Sequence, residues 1–139
     1  MQNIHATCVA LQNRGILITG PSGAGKSDIA LRLTEQIGAI LVADDRTIIT
    51  NKNNKLFASS PENLKGLLEV RGLGIISKKY CNETEVKLAV ELVSDRSKIE
   101  RLPEKEYIEL ENIKIKKIKV YPYEVSSVYK IKLACDEKE

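Results

Sequence analysis

Gly20-Pro21-Ser22-Gly23-Ala24-Gly25-Lys26-Ser27 is a complete G-x-x-x-x-G-K-[ST] match. Residues of these types at this spacing hold polyphosphate. Glycines let backbone N–H groups wrap the phosphates without Cβ clashes. Lys26 can reach the β and γ phosphates, and the Ser27 hydroxyl can ligate Mg²⁺. Asp44-Asp45 follow Lys26 by 18 and 19 residues. A carboxylate that ends a buried strand beside a phosphate loop is placed to hold a magnesium ion, and a second one next to it can take a proton from an acceptor hydroxyl. A third group of charges lies in Leu68-Glu69-Val70-Arg71-Gly72-Leu73-Gly74. Alternation puts Glu69 and Arg71 on one strand face, where a carboxylate could join the metal shell and an arginine could neutralise a phosphoryl group in transfer.

These groups need elements to position them. Gly15 to Thr19 is a short apolar run that reads as a buried strand, and Asp28 to Leu33 reads as a helix, so the glycine loop has the strand–loop–helix context its chemistry requires. The helix is expected to bury Ile29, Ala30, Leu33 and Ile37 and to stop at Gly38. Ala39 to Ala43 reads as a buried strand running into the aspartates. Ile4 to Leu11, with the sole histidine His5, reads as one strand turned through Asn13, Arg14 and Gly15 into the next. A hairpin over 47–60, a helical start at Pro61 to Leu64, a strand at Leu68 to Arg71 and another at Glu85 to Val93 follow. Residues 95–106 read as loop. Residues 113–120 read as one strand or two, with a bulge or break at Lys116-Lys117. For 125–136, the alternation Tyr129, Ile131, Leu133 favours a strand, whereas Val128, Ile131 and Cys135 would share a helix face.

The 139 residues suggest one domain, 1–139, able to bury roughly two-thirds of its unfolded surface. With no Trp and one Phe, the core must come from Ile, Leu and Val. A net charge of +3 with no basic aromatic stripe argues against a nucleic-acid partner. Cys8, Cys81 and Cys135 fit neither a zinc site nor a disulfide framework and are expected to be buried thiols in a reducing compartment. No apolar run is long enough to span a membrane and no signal peptide is evident, so a cytoplasmic location without membrane attachment is expected.

The phosphate loop, Leu41-Val42-Ala43-Asp44-Asp45-Arg46, Ser60-Pro61 and Leu68-Glu69-Val70-Arg71-Gly72-Leu73-Gly74-Ile75-Ile76 together resemble the catalytic domain of the HPr kinase/phosphorylase family over nearly the whole chain. The resemblance implies an α/β phosphate-loop (P-loop) nucleotide-binding fold, related to the core of phosphoenolpyruvate carboxykinase. It implies ATP- and Mg²⁺-dependent transfer of phosphate to a serine of HPr, the carrier protein of the sugar phosphotransferase system, by a homo-oligomer, in this family a hexamer. Residue by residue it points to His5, Lys26, Asp45, Arg71 and Arg101 for catalysis and to residues 20–27 for the nucleotide. Ser27, Asp44 and Glu69 are then the metal set. Asp45 is the expected base and Asp44 the metal neighbour, with the two roles exchangeable. The chain begins just before His5, as in short, single-domain members. Long members carry arginines where this chain has Tyr121-Pro122-Tyr123-Glu124-Val125-Ser126-Ser127, so weak or absent phosphorylase activity is expected. The resemblance also favours a helix over 125–136. The rivals are a small-molecule kinase on the same scaffold and an ATP-binding regulator without transfer activity.

Overall fold

The computed structural model describes residues 1–137. The chain starts as β1 (Gln2–Ile4), bends at His5-Ala6, and resumes as β2 (Thr7–Leu11). The single strand expected over 4–11 is therefore broken at His5. The bend is held by Ala6 N–H donating to the Ile4 carbonyl at 3.0 Å and by Thr47 Oγ1 donating to the Ala6 carbonyl at 2.9 Å. Residues Gln12-Asn13, with φ of 50° and 64°, turn the chain into β3 (Arg14–Thr19). Arg14 and Gly15, expected in the turn, are already paired with Leu11 and Ala10. Positive φ at both central residues matches the right-handed strand twist, which is why short polar pairs close such hairpins.

The phosphate loop leads from β3 into α1 (Lys26–Arg32), which widens into a π-helical turn at Leu33–Ile37 and stops at Gly38 with φ 86°. Ile29, Ala30 and Leu33 are fully buried, as their spacing requires, and Ile37 is half-buried. β4 (Ile40–Ala43) runs into Asp44-Asp45. β5 (Thr47–Lys52) and β6 (Lys55–Ser59) form the expected hairpin, turned by Asn53-Asn54. A 3₁₀ turn at Glu62–Leu64 precedes the two-stranded unit β7 (Leu67–Val70) and β8 (Gly74–Ser77). Arg71 is not on a strand face with Glu69: it lies in the turn after β7, where Leu73 N–H closes on the Val70 carbonyl at 2.9 Å.

The ten-residue β9 (Glu83–Leu92) is followed by a short 3₁₀ turn and then by β10 (Glu106–Leu110), a strand absent from the sequence reading. Glu111-Asn112 turns it into β11 (Ile113–Val120). That strand is continuous, with neither break nor bulge at Lys116-Lys117, because it is paired on both sides: antiparallel to β10 and parallel to β9. The helix that the resemblance implied over 125–136, against the strand that alternation favoured, is present as α2 (Ser127–Asp136), which buries Val128, Ile131 and Cys135. The helix wins because that stripe has an apolar surface to cover, whereas a strand would strand Tyr129 and Leu133, both exposed here, on its inner face.

β9 is the spine. Its first residues pair with β6, its middle with β3 in parallel, and its last five with β11 in parallel. β2 continues the sheet beyond β3, and β4 closes that edge. Alternation sorts the core into two. Val9, Leu11, Ile16, Ile18, Leu88 and Val90 pack with α1 and α2. Cys8, Ala10, Leu17 and Ala89 face the other way and pack with Ile49, Leu56 and Ala58 of the β5–β6 hairpin. Two of those four sheet residues, Ala10 and Ala89, are alanines, which lets a β layer come close. Cys8 and Cys135 are buried and Cys81 is only partly so; all three are free thiols. Among the described residues no helix is long and apolar enough to cross a membrane.

Gly15 sits where β3 meets β9 with a register shift, and a Cβ there would stand 2.7 Å from the Glu85 carbonyl oxygen. Backbone cannot give way as a flexible side chain can. Gly15→Ala is expected to cost about 1–3 kcal/mol of stability, read as a lower urea midpoint. An unchanged midpoint would show that the two strands can separate there without cost.

Candidate active site

Gly23 and Gly25 of the loop adopt backbone conformations that L side chains rarely take: φ is 80° and 101°. Within the loop Ala24 N–H donates to the Pro21 carbonyl at 3.0 Å. Lys26 is buried at 6% exposure, and its ammonium donates to the Gly20 and Pro21 carbonyls at 2.7 and 2.9 Å. It thus folds back on its own loop. Burial pushes its pKa below the usual lysine value, against the opposing pull of Asp45 and Asp44. A polyanion entering the loop would give that ammonium the partners its burial withholds.

Three elements converge on the Asp44 carboxylate. Thr7 Oγ1 from β2 donates to Oδ1 at 3.0 Å, Ser27 Oγ from α1 donates to the same oxygen at 2.7 Å, and Glu69 N–H from β7 donates to Oδ2 at 3.2 Å. Asp44 is 8% exposed, so these bonds satisfy a charge that would otherwise be costly to bury. Asp45 is the opposite case. Its side chain is 68% exposed, and His5 Nε2 lies 2.8 Å from its Oδ1. With the carboxylate ionised, the ring N–H is the donor. Among the described residues Asp45 is the one non-glycine residue of positive φ (67°) that is not a hairpin turn residue. Arg46 N–H donates to the Asp44 carbonyl at 2.7 Å across it, a tight three-residue turn of the rarer, strained hand. Strain of this kind persists where the surroundings over-determine it. Here the Asp45 N–H is also fixed, donating to Thr7 Oγ1 at 3.2 Å.

One cleft collects most of the expected residues: His5, Gly23, Gly25, Lys26, Ser27, Asp45, Glu69 and Arg71 all line it. The turn after β7, rather than a shared strand face, brings Arg71 in with Glu69. Arg101 does not join them. It lines a separate depression with Arg96, Glu124 and Lys130. Two residues escaped the sequence reading. Thr7 touches both aspartates through one hydroxyl, and its signal was a lone hydroxyl in an apolar strand. Tyr123, also on the cleft, carried only the weak signal of an aromatic in a polar loop.

The donors suit magnesium. That ion is held by one or two carboxylates, with waters and substrate phosphates completing its shell. Ser27 and Asp44, already bonded to each other, supply a hydroxyl and a carboxylate at the loop, and the exposed Glu69 side chain stands on the same cleft. Among the described residues no three His, Cys, Asp or Glu side chains form a cage of their own.

A family model described as the HPr serine kinase C-terminal domain matches residues 1–131. The HPr kinase/phosphorylase of Mycoplasmopsis pulmonis is 38% identical over 112 residues, covering 73% of this chain and 36% of that protein. That of Clostridium botulinum strain Eklund 17B is 37% identical over 127 residues, covering 84% of this chain and 41% of that protein. The chain therefore spans about two-fifths of the length of these curated relatives. The solved Hpr(Ser) kinase/phosphatase of Coxiella burnetii superposes with a TM-score of 0.81 at 27% identity, over 96% of this chain and 97% of that one. A phosphate loop tied through Ser27 to an aspartate pair, in a fold shared with that enzyme and a sequence shared with those relatives, places this chain in the family of HPr serine kinase C-terminal domains.

Proposed function

We propose that the chain is an ATP- and Mg²⁺-dependent serine kinase of HPr. The observation that carries the reading is the Ser27–Asp44 bond of 2.7 Å, which fixes the nucleotide loop against the aspartate pair and leaves Asp45 open to the cleft. Lys26 exchanges its carbonyl partners for the β and γ phosphates. Ser27, Asp44 and Glu69 would hold a magnesium ion, which when bound would neutralise charge on those phosphates. Asp45 accepts the proton of the incoming serine hydroxyl, and His5 orients its carboxylate and stabilises the anion before transfer. Arg71 brings positive charge to the same cleft. Such a reaction needs positioning and electrostatics more than covalent chemistry, and these residues provide both.

A protein acceptor fits better than a small molecule. The hairpin that carries Glu69 and Arg71 to the cleft also exposes Leu73 (78%) and Ile75 (69%), an apolar rim that a docked protein would cover. HPr is that protein by family. A homo-oligomer, hexameric by resemblance, and a cytoplasmic location complete the reading. Incubation with labelled ATP, Mg²⁺ and the host's HPr should label a serine of HPr. A labelled small metabolite with HPr left blank would overturn the reading.

Lys26→Ala is expected to keep the fold, weaken ATP binding and abolish transfer. Normal turnover in that variant would remove the phosphate-loop assignment.

The two aspartates should separate by stability as well as by rate. Asp44→Ala leaves Thr7, Ser27 and the Glu69 N–H without their shared acceptor and is expected to cost about 1–3 kcal/mol. Asn tolerates positive φ and Asp45 is exposed, so Asp45→Asn should change stability by less than about 0.5 kcal/mol. It should also retain Mg²⁺-ATP affinity and lower the transfer rate by roughly 10²–10⁴. Loss of metal affinity in Asp45→Asn would exchange the roles of the pair.

Phosphorolysis should run more slowly than transfer. Phosphate placed beside phosphoserine brings several negative charges together, worth on the order of a few kcal/mol at intermediate dielectric. The Tyr121 to Ser127 stretch provides no arginine to offset them. Pyrophosphate release from serine-phosphorylated HPr and phosphate, timed beside forward transfer, measures this. Equal rates would show that arginines in this stretch are not limiting.

A further inference from the structure

The phosphate cleft does not end at the loop. Tyr123, 65% exposed, stands on its rim and also borders a second depression of about 420 Å³ lined by Asp28, Arg32, Gln36, Pro122 and Tyr129. Asp28 and Tyr123 border both hollows.

Lys26 and Ser27 serve the β and γ end of a nucleotide, and Asp44, Asp45 and Glu69 lie with them. A nucleotide that continued from Ser27 along α1 would pass Asp28, which borders both hollows. A third hollow bordered by Tyr123 reaches Pro21, Ala24 and Lys98 and not Asp28.

An exposed tyrosine is ordinary by itself. This one sits on a clamped loop. Arg32 donates to the Pro122 carbonyl and, at 3.4 Å, to the Glu124 carbonyl. Ser127 Oγ donates to the Tyr121 carbonyl at 2.7 Å and accepts from Glu124 N–H at 3.2 Å. The Glu124 carboxylate pairs with Arg96 and Lys130 at 2.9 Å each. Pro122 is buried, near where a Cβ on Gly25 would lie, so the loop packs on the phosphate loop. The ring of Tyr121 meets Tyr123 edge-on, with centroids 5.4 Å apart and planes at 82°. The backbone on either side of Tyr123 is thus held, and its ring presents an exposed face beside the phosphate loop.

We propose that Tyr123 is the platform on which the base of the nucleotide stacks, and that the hollow between α1 and residues 121–125 is the nucleoside subsite. This rests on the phosphate-loop reading above. Stacking of a base on an aromatic ring raises affinity by roughly 5- to 150-fold, and every base offers a π face. The subsite therefore selects nucleoside triphosphates over bare phosphate chains and discriminates weakly among bases.

Titration calorimetry with Mg²⁺ and either ATP or inorganic tripolyphosphate tests this on the wild type, Tyr123→Ala and Tyr123→Phe. The wild type should bind ATP at least roughly tenfold more tightly than tripolyphosphate. Tyr123→Ala should lose that advantage with tripolyphosphate affinity unchanged, and Tyr123→Phe should restore it. The chain has no Trp, so Tyr123→Trp adds a single reporter whose fluorescence ATP should change and tripolyphosphate should not. A Tyr123→Ala protein that still prefers ATP overturns the subsite, as does a wild type that binds both ligands equally. Equal losses for both ligands in Tyr123→Ala would mean that the loop acts on phosphate, and a Tyr123→Phe as weak as Tyr123→Ala would mean that the hydroxyl acts rather than the ring. Either result rejects stacking. A wild type that binds neither ligand rejects the phosphate-loop reading and the subsite with it.

Discussion

A single buried carboxylate ties the active region together. Asp44 accepts from a strand hydroxyl, a helix hydroxyl and a backbone N–H of a separate hairpin, and each donor arrives on a different element. A charge at that depth is tolerable only if its lone pairs are met. Each of those elements must then sit within hydrogen-bond reach of one point. The ends of β2 and β4, the first turn of α1 and the β7–β8 hairpin are thereby held in common register around the glycine loop.

The sheet makes that convergence possible. β9 changes partners along its length, giving its first residues to β6 and its last to β11 while β3 runs beside its middle. One face of the sheet carries the larger Ile, Leu and Val residues that two helices cover, and the other carries small residues that admit a second β layer. The bend at His5-Ala6 joins the two layers, and it leaves His5 at the cleft rather than within a strand. The histidine reaches Asp45 because the chain must change layers at that point.

Asp44 and Asp45, adjacent in sequence, have opposite surroundings. One is buried and bonded to three donors; the other is exposed on a strained turn, with the His5 imidazole beside it. Neutralising and organising charge suits the first, and exchanging a proton with an incoming group suits the second. Lys26 shows the same logic in another form. Its ammonium is kept on its own loop carbonyls at the cost of some desolvation.

Much of this was legible in the residues alone. The glycine spacing, the apolar run before it and the amphipathic stretch after it specify strand, loop and helix because local backbone geometry and side-chain period are local properties. The hairpin at Asn53-Asn54 was readable for the same reason. The aspartate pair and Glu69 were readable as chemistry from their residue types. What only tertiary structure decided depends on distant partners. The Lys116-Lys117 stretch remains a straight strand because β9 and β10 pair with it from both sides. Residues 127–136 are helical because the sheet offers their apolar stripe a face to cover. Arg71 reaches the cleft by way of a turn, while Arg101 lines another hollow. The difference between Asp44 and Asp45 lies in burial, partners and backbone turn, and these are set by every element packed around them, not by the two letters that stand side by side in the chain.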